Sequence, residues 1–320
     1  MRTLPVLPIV MVLATARVAP AQFGDESTKG PRPDKLQIEK WEIGVVVTAP
    51  SGPCSGIVST VVLPVDWPEQ QVLIVSEDYS VTVASHTERM TGTVKQLVLS
   101  IPELPSGEEA RAVLTFEIRR RTLLPPADTS IFVKANPKKL PKEIRTYLGP
   151  SPMIEINNGK IKALAKELIK ASADQNAWEQ VAAIHQWIRE NVKHEKVKSQ
   201  GAAHALKSHS ADYYDLTSLF VALCRDSDIP ARSVWMHKYG YGEFYLEDDE
   251  GQGYWFPCVL TGDEAFGALS DLRPIWQKGD SFRVPERQRE IQRYIDPYLN
   301  AKGNEPVVRF PRQIIGAEAP

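Results

Sequence analysis

The stretch Ala211–His237, ADYYDLTSLFVALCRDSDIPARSVWMH, restricts the fold of this chain more than any other. It predicts a helix, a tight turn and a strand in succession. Leu216, Phe220 and Leu223 recur at helical spacing and form an apolar stripe. Asp212 stands just before the run, where a short acceptor can cap the first free amides. Arg225 falls in the last turn, at the negative end of the helix dipole. Asp226-Ser227-Asp228 then interrupts the pattern, and Pro230 forbids further helix through its missing donor and fixed φ. Beyond it, Val234 and Met236 alternate with Ser233, Trp235 and His237 as in a strand.

The run LTSLFVALCRDSDIPARSVW resembles the core of the transglutaminase-like (papain-like) superfamily. The resemblance extends from about Trp178 to Pro285 and, through GQGYWFPC, FGALSDLRPI and QKGDSFRVPE, is to a bacterial exported branch. It implies an α+β core that uses Cys, His and Asp for acyl transfer. The nucleophile's usual setting, G-x-C-x-D-L, falls on Ala211–Leu216, which puts the cysteine position at Tyr213. The histidine position falls on Tyr239, ahead of Tyr241, Glu243 and Tyr245. The aspartate position, four residues after Trp255, falls on Val259. All three chemical positions are therefore substituted. Asp215, Arg232 and Glu243 retain the family pattern and are expected to be structural. If Arg232 is buried, it needs a carboxylate or several carbonyls, because an isolated buried charge is costly.

A cysteine at a helix start gains acidity from the local positive potential and from a neighbouring imidazole. A phenol at Tyr213, with an ordinary pKa of about 10, stays neutral and cannot easily inherit that role. Tyr239 loses its proton too late to be the base, and Val259 orients nothing. The resemblance thus implies a catalytically inactive domain that takes a peptide or protein partner in the old cleft, lined by Tyr213, Tyr239, Tyr241, Trp255 and His237. Two alternatives stand beside it. One is an acyltransferase or peptidase-like hydrolase with a relocated site near His237, which could share a strand face with Tyr239, or near Ser208, His209 and Ser210. The other is a purely structural envelope protein.

At the N-terminus, Arg2, the apolar run from Leu4 to Ala14 and Ala19-Pro20-Ala21 predict an export signal cleaved near Ala21. The run is too short to span a bilayer, and no later stretch predicts a membrane anchor. Removing Arg2 and Arg17 leaves 36 basic against 40 acidic residues, a formal charge of −4. That balance points to neither nucleic acid nor an acidic membrane surface as a partner. The remaining chain divides into a flexible segment (22–36), a β-sandwich (37–134), a Pro- and Lys-rich linker (135–155), the transglutaminase-like domain (156–300) and a tail (301–320). The fold class expected is α+β, with an all-β sandwich ahead of the core.

The sandwich rests on short alternating runs between Pro and Gly breaks, among them Trp41–Val47, Val81–Val83 and Leu114–Ile118. Ile161, Leu164, Ala165 and Leu168, then Val181, Ile184, Ile188 and Val192, predict two amphipathic helices. Ile291, Tyr294, Ile295, Tyr298 and Leu299 predict a final one. Cys54, Cys224 and Cys258 lack metal-ligand spacing and read as small buried residues. His185 and His194 read as packed or surface residues. Neither a metal nor another cofactor is expected.

Overall fold

A computed structural model describes residues 29–316 except Arg289. The expected export signal lies outside them. The chain is α+β: β-sheets over residues 32–124, then a mixed α/β core. In order, the first part supplies β1 (Arg32–Thr48), β2 (Cys54–Leu63), β3 (Gln70–Tyr79), β4 (Ser85–Thr91), β5 (Val94–Leu104) and β6 (Glu109–Leu124). A short helix α1 (Lys142–Arg145) precedes α2 (Gly159–Ala171) and α3 (Ala177–Asn191). Then come β7 (Lys193–His194), α4 (Ala202–Ser208), β8 (Ser210–Ala211) and α5 (Tyr213–Asp226). The core sheet holds β9 (Ala231–Met236), β10 (Tyr239–Glu247), β11 (Gly253–Cys258) and β12 (Ile275–Lys278). The chain closes with β13 (Phe282–Arg283), β14 (Ile291–Gln292), β15 (Tyr298–Gly303), β16 (Val307–Arg309) and β17 (Arg312–Ile315).

Period-two alternation builds the first part. Trp41, Ile43, Val45 and Val47 of β1 pack with Leu114, Phe116 and Ile118 of β6 and with Ile57, Val61, Leu97 and Leu99 of β2 and β5. Two sheets, ordered β16-β1-β6-β3 and β15-β2-β5-β4, thus share one apolar core, as a sandwich does. Trp276 of the second part joins that core.

The C-terminus departs from the expected organisation. No helix forms at Ile291–Leu299; β14 and β15 run there, and β15 pairs with β2 of the sandwich. Inside the expected tail (301–320), residues 307–309 and 312–315 form β16 and β17, and both pair with β1. The helical spacing of Ile291, Tyr294, Ile295 and Tyr298 misleads because Pro297 interrupts it and Tyr298 has a strand edge to join. The sandwich is therefore completed by the last part of the chain. At the other end, β1 starts at Arg32, inside the segment expected to be flexible. Val81–Val83 lies outside the strands, and the strand of that region is Ser85–Thr91. The linker is no free connector: Tyr147 packs against Trp255 with ring centroids 5.4 Å apart, and the Ser151 hydroxyl donates to Asp280 at 2.6 Å.

In the second part, α5 is the central element, buried from Asp215 through Arg225. Its capping agrees with the sequence reading: the Asp212 carboxylate accepts from the Asp215 amide at 2.8 Å. β10 lies directly against it, and Gly240 and Gly242 make the approach possible. A Cβ on Gly242 would stand 2.9 Å from the Phe220 ring. Arg225 does more than meet the helix dipole. Its side chain is fully buried, pairs with Asp280 at 2.8 Å and donates to the carbonyls of Ala231 and Gly149. Among the described residues no helix is long and apolar enough to cross a membrane.

Candidate functional site

The start of α5 is set by polar contacts. Asp215 is fully buried and accepts from Ser199 Oγ and from the amides of Gln200 and Gly201, at 2.6 and 2.9 Å for the amides. It fastens the 199–201 loop to the first turn of the helix. The negative charge sits among free amides, where it is stabilised.

Tyr213 opens the helix, half-buried, with its ring on Tyr239 (centroids 5.1 Å apart) and on Tyr214 (4.1 Å). Its hydroxyl donates to the Lys238 carbonyl at 3.4 Å. The Tyr239 hydroxyl bonds Thr261 Oγ1 at 2.8 Å, and Arg273 lies over the Tyr239 ring at 4.7 Å. Burial raises the Tyr239 pKa above its ordinary value, so the phenol stays protonated. Val259 packs in a small apolar cluster with Val234, Met236, Tyr241, Leu269 and Ile275, against which Tyr239 rests. The Val259 carbonyl accepts from His185 Nε2 at 3.0 Å. Tyr213, Tyr239 and Val259 thus lie in one neighbourhood, holding two phenols and an isopropyl group.

His237 belongs elsewhere. β9 ends at Met236, and the turn through Lys238, at φ +56°, breaks the alternation that would have put His237 on the face of Tyr239. Its ring packs on Trp41 (4.9 Å) and Trp276 (6.2 Å). Burial, then the charges of Lys238, Arg312 and Arg273, push its pKa down, so the imidazole is neutral at pH 7. Among the described residues no thiol or hydroxyl hydrogen-bonds this ring. Ser208 ends α4, His209 caps it and Ser210 opens β8: Ser208 Oγ lies 2.9 and 2.7 Å from the His204 and Ser210 carbonyls, and Ser210 Oγ donates to Glu195. His209 Nδ1 faces the Asn191 carbonyl at 2.9 Å, with no serine hydroxyl on it. His194 is exposed in β7.

The cysteines are all free and buried. Burial drives the thiols of Cys224 and Cys258 well above the ordinary range, leaving them un-ionised. Cys54 donates to the Asn304 carbonyl at 3.1 Å. Among the described residues no group of His, Cys, Asp and Glu is placed to hold a metal ion.

The remaining expected site residues gather behind the core sheet. The β9–β10 register sets Arg232 opposite Glu243. The guanidinium donates to one Glu243 oxygen at 2.7 Å, and Lys278 Nζ reaches the other at 2.6 Å. Lys278 also bonds Glu69 at 2.6 Å, so a carboxylate of the sandwich closes an alternating array of four charges. Each of the four is at most 7% exposed. Burial works against the Glu69 charge, but Lys278 and Arg120 hold its carboxyl down at about 2. Burial likewise opposes the Arg232 charge, and Glu243 keeps it. Sequence reasoning missed Lys278 and Glu69, since neither lies near the array in sequence.

The five residues expected to line one cleft therefore separate. Tyr213 and Tyr239 form the ring pair, and His237 packs on Trp41 and Trp276. Tyr241 is buried, its hydroxyl 3.5 Å from both Glu69 and Glu243. Trp255 stacks under Arg232 at 4.0 Å and lines a cavity between the sandwich and the core sheet.

Residues 162–262 match the Transglutaminase-like superfamily model, from α2 to just past β11. The second part of this chain thus contains a transglutaminase-like domain. Among solved structures, a "Putative Cysteine Protease" from Cytophaga hutchinsonii is similar over 88% of this chain and 92% of its own, with TM-score 0.52 and 16% identity. That likeness concerns the fold. A "putative protease" from Parabacteroides distasonis matches at 12% identity over 69% of this chain and 48% of its own, with TM-score 0.27. No curated protein matches.

Proposed function

We propose that this chain is an exported, catalytically silent transglutaminase-like protein whose former catalytic centre serves as a binding surface for a peptide or protein partner. The observation that carries the reading is the Tyr213–Tyr239 ring pair, 5.1 Å between centroids, at the start of α5. In the resemblance these positions belong to the thiol and the imidazole. Half-buried Tyr213, Tyr214 and Tyr239 leave an aromatic surface there, with Lys238 exposed beside it. Tyrosine combines large contact area with a hydrogen-bonding tip, which suits an interface. Acyl transfer needs an activated nucleophile within reach of a base. The buried thiols and the apolar setting of His237 supply no such pair.

The test is an assay for amide hydrolysis and for amine incorporation into glutaminyl peptides, run on the full exported chain with and without a thiol-blocking reagent. No turnover above buffer is expected in either. Turnover that disappears in His237→Ala, with the fold intact, would establish the relocated hydrolase instead. On the binding side, cross-linking at Lys238 should recover a peptide or protein partner, and Tyr213→Ala should weaken that recovery.

A further inference from the structure

The cavity beside Trp255 encloses about 400 Å³ and lies away from the Tyr213–Tyr239 pair, a size ordinary for small-molecule sites. Trp67, Tyr254 and Trp255 give it flat aromatic walls, and Pro31, Pro33 and Leu123 complete its apolar lining. Its polar lining is the charged array itself: Arg232 and Lys278 as donors, Glu69 and Glu243 as acceptors. These side chains are bonded to one another, so their positions are set before any ligand arrives. The Trp67 indole N–H has no acceptor among the described residues.

We propose that this cavity binds a neutral saccharide of roughly one or two pyranose rings, stacked on the tryptophan walls with its hydroxyls turned to the charged array. The array carries two positive and two negative groups, so a ligand of either net charge gains from one pair and is repelled by the other. A hydroxyl donates and accepts at once and serves both. A hydrocarbon of the same size would strip water from the polar end and return no hydrogen bond, which is costly. The C–H faces of a sugar ring match flat indole walls, and the charged array borders those walls, with Arg232 over Trp255 at 4.0 Å and Lys278 over Trp67 at 5.1 Å.

The experiment titrates cellobiose, chitobiose and maltose into the full chain. It reads tryptophan emission and saturation transfer to the sugar C–H protons. At least one disaccharide should bind saturably, with uronic-acid and amino-sugar analogues binding more weakly. Trp67→Ala, at a half-exposed wall residue, should weaken binding by about tenfold or more, the loss of about 1.4 kcal/mol. Pro33→Trp, at the half-exposed wall on β1, should block entry without touching the array, and it decides the matter if Trp67→Ala fails to fold. Absence of saturable binding by all three sugars overturns the proposal. So does binding indifferent to both variants, or saturable binding of a capped proline-rich tetrapeptide in place of the sugars. None of these readouts depends on turnover or on the partner surface at Tyr213.

Discussion

The start of α5 and the back of the core sheet solve opposite problems with their polar groups. At the helix start, positions that the resemblance gives to a thiol, an imidazole and a carboxylate hold Tyr213, Tyr239 and Val259, and the contacts are ring on ring. Behind the sheet, four ionised groups survive burial because each touches its opposite within about 2.7 Å. A charge persists in a dry interior only when it is paired and hydrogen-bonded. The two regions differ in what their polarity accomplishes. One array joins the sandwich to the core through Glu69 and Lys278; the charges of the other region, Asp215 and Arg273, hold a loop and a tyrosine ring.

The contrast breaks most readily at Glu243, which faces two cations. Glu243→Gln leaves Arg232 and Lys278 sharing a neutral amide, and a destabilisation of about 3–5 kcal/mol is expected. Chemical denaturation at neutral pH measures it. A change near zero would mean that the array is open to water and not an interior lock.

The acid limb of stability sharpens the same point. The Glu69 carboxyl lies at about 2 in the folded chain, against 4.5 ordinarily. A depressed carboxyl contributes stability that is complete above the ordinary value and lost as pH falls through the folded one. Unfolding free energy should therefore drop between pH 4.5 and 2, by an amount on the order of 3 kcal/mol from this group. Glu69→Gln should lower stability at pH 7 and flatten that segment. An unchanged acid limb would assign the shift to other carboxylates.

The same division separates the legible features of the sequence from the concealed ones. Helix α5 was legible because its signals are local: Asp212 caps it, the apolar stripe runs through it and Pro230 bars any helical continuation. The need of Arg232 for a carboxylate was legible from the cost of burial. Glu243 as its partner could have been read from the β9–β10 hairpin, whose turn at His237 and Lys238 sets 232 opposite 243. Lys278 and Glu69 had no such signal, since they approach only after the sandwich docks on the sheet. The same blindness hid β15 to β17. Their partners β1 and β2 lie at the far end of the chain, and a local apolar spacing resembled a helix where a distant strand edge decided the outcome.

A smaller effect is expected at the ring pair. A double-mutant cycle on Tyr213→Ala and Tyr239→Ala should give a coupling of about 0.5–1.5 kcal/mol, the range for aromatic contacts beyond simple burial. Tyr239→Phe should cost about 1 kcal/mol through the lost Thr261 bond. Zero coupling would show the rings to be independent surface groups, and the picture of a filled centre would fail.

The smallest effect expected is on chemistry. Tyr213→Cys places a thiol at the start of α5, where free amides and the helix dipole favour the thiolate. Alkylation by iodoacetamide should be faster than in the parent, whose three thiols are buried. Turnover should not appear, because a thiolate also needs a proton carrier for the leaving amine. The neighbouring group is Tyr239, a phenol kept protonated by burial. The imidazole of His237 packs on Trp41 and Trp276 and makes no ring contact with Tyr213 or Tyr239 among the described residues. Amide hydrolysis by Tyr213→Cys alone would mean that a base reaches the helix start after all. In that event the charges missing from the old centre would be supplied from outside the ring pair, and the opposition between the two regions would dissolve.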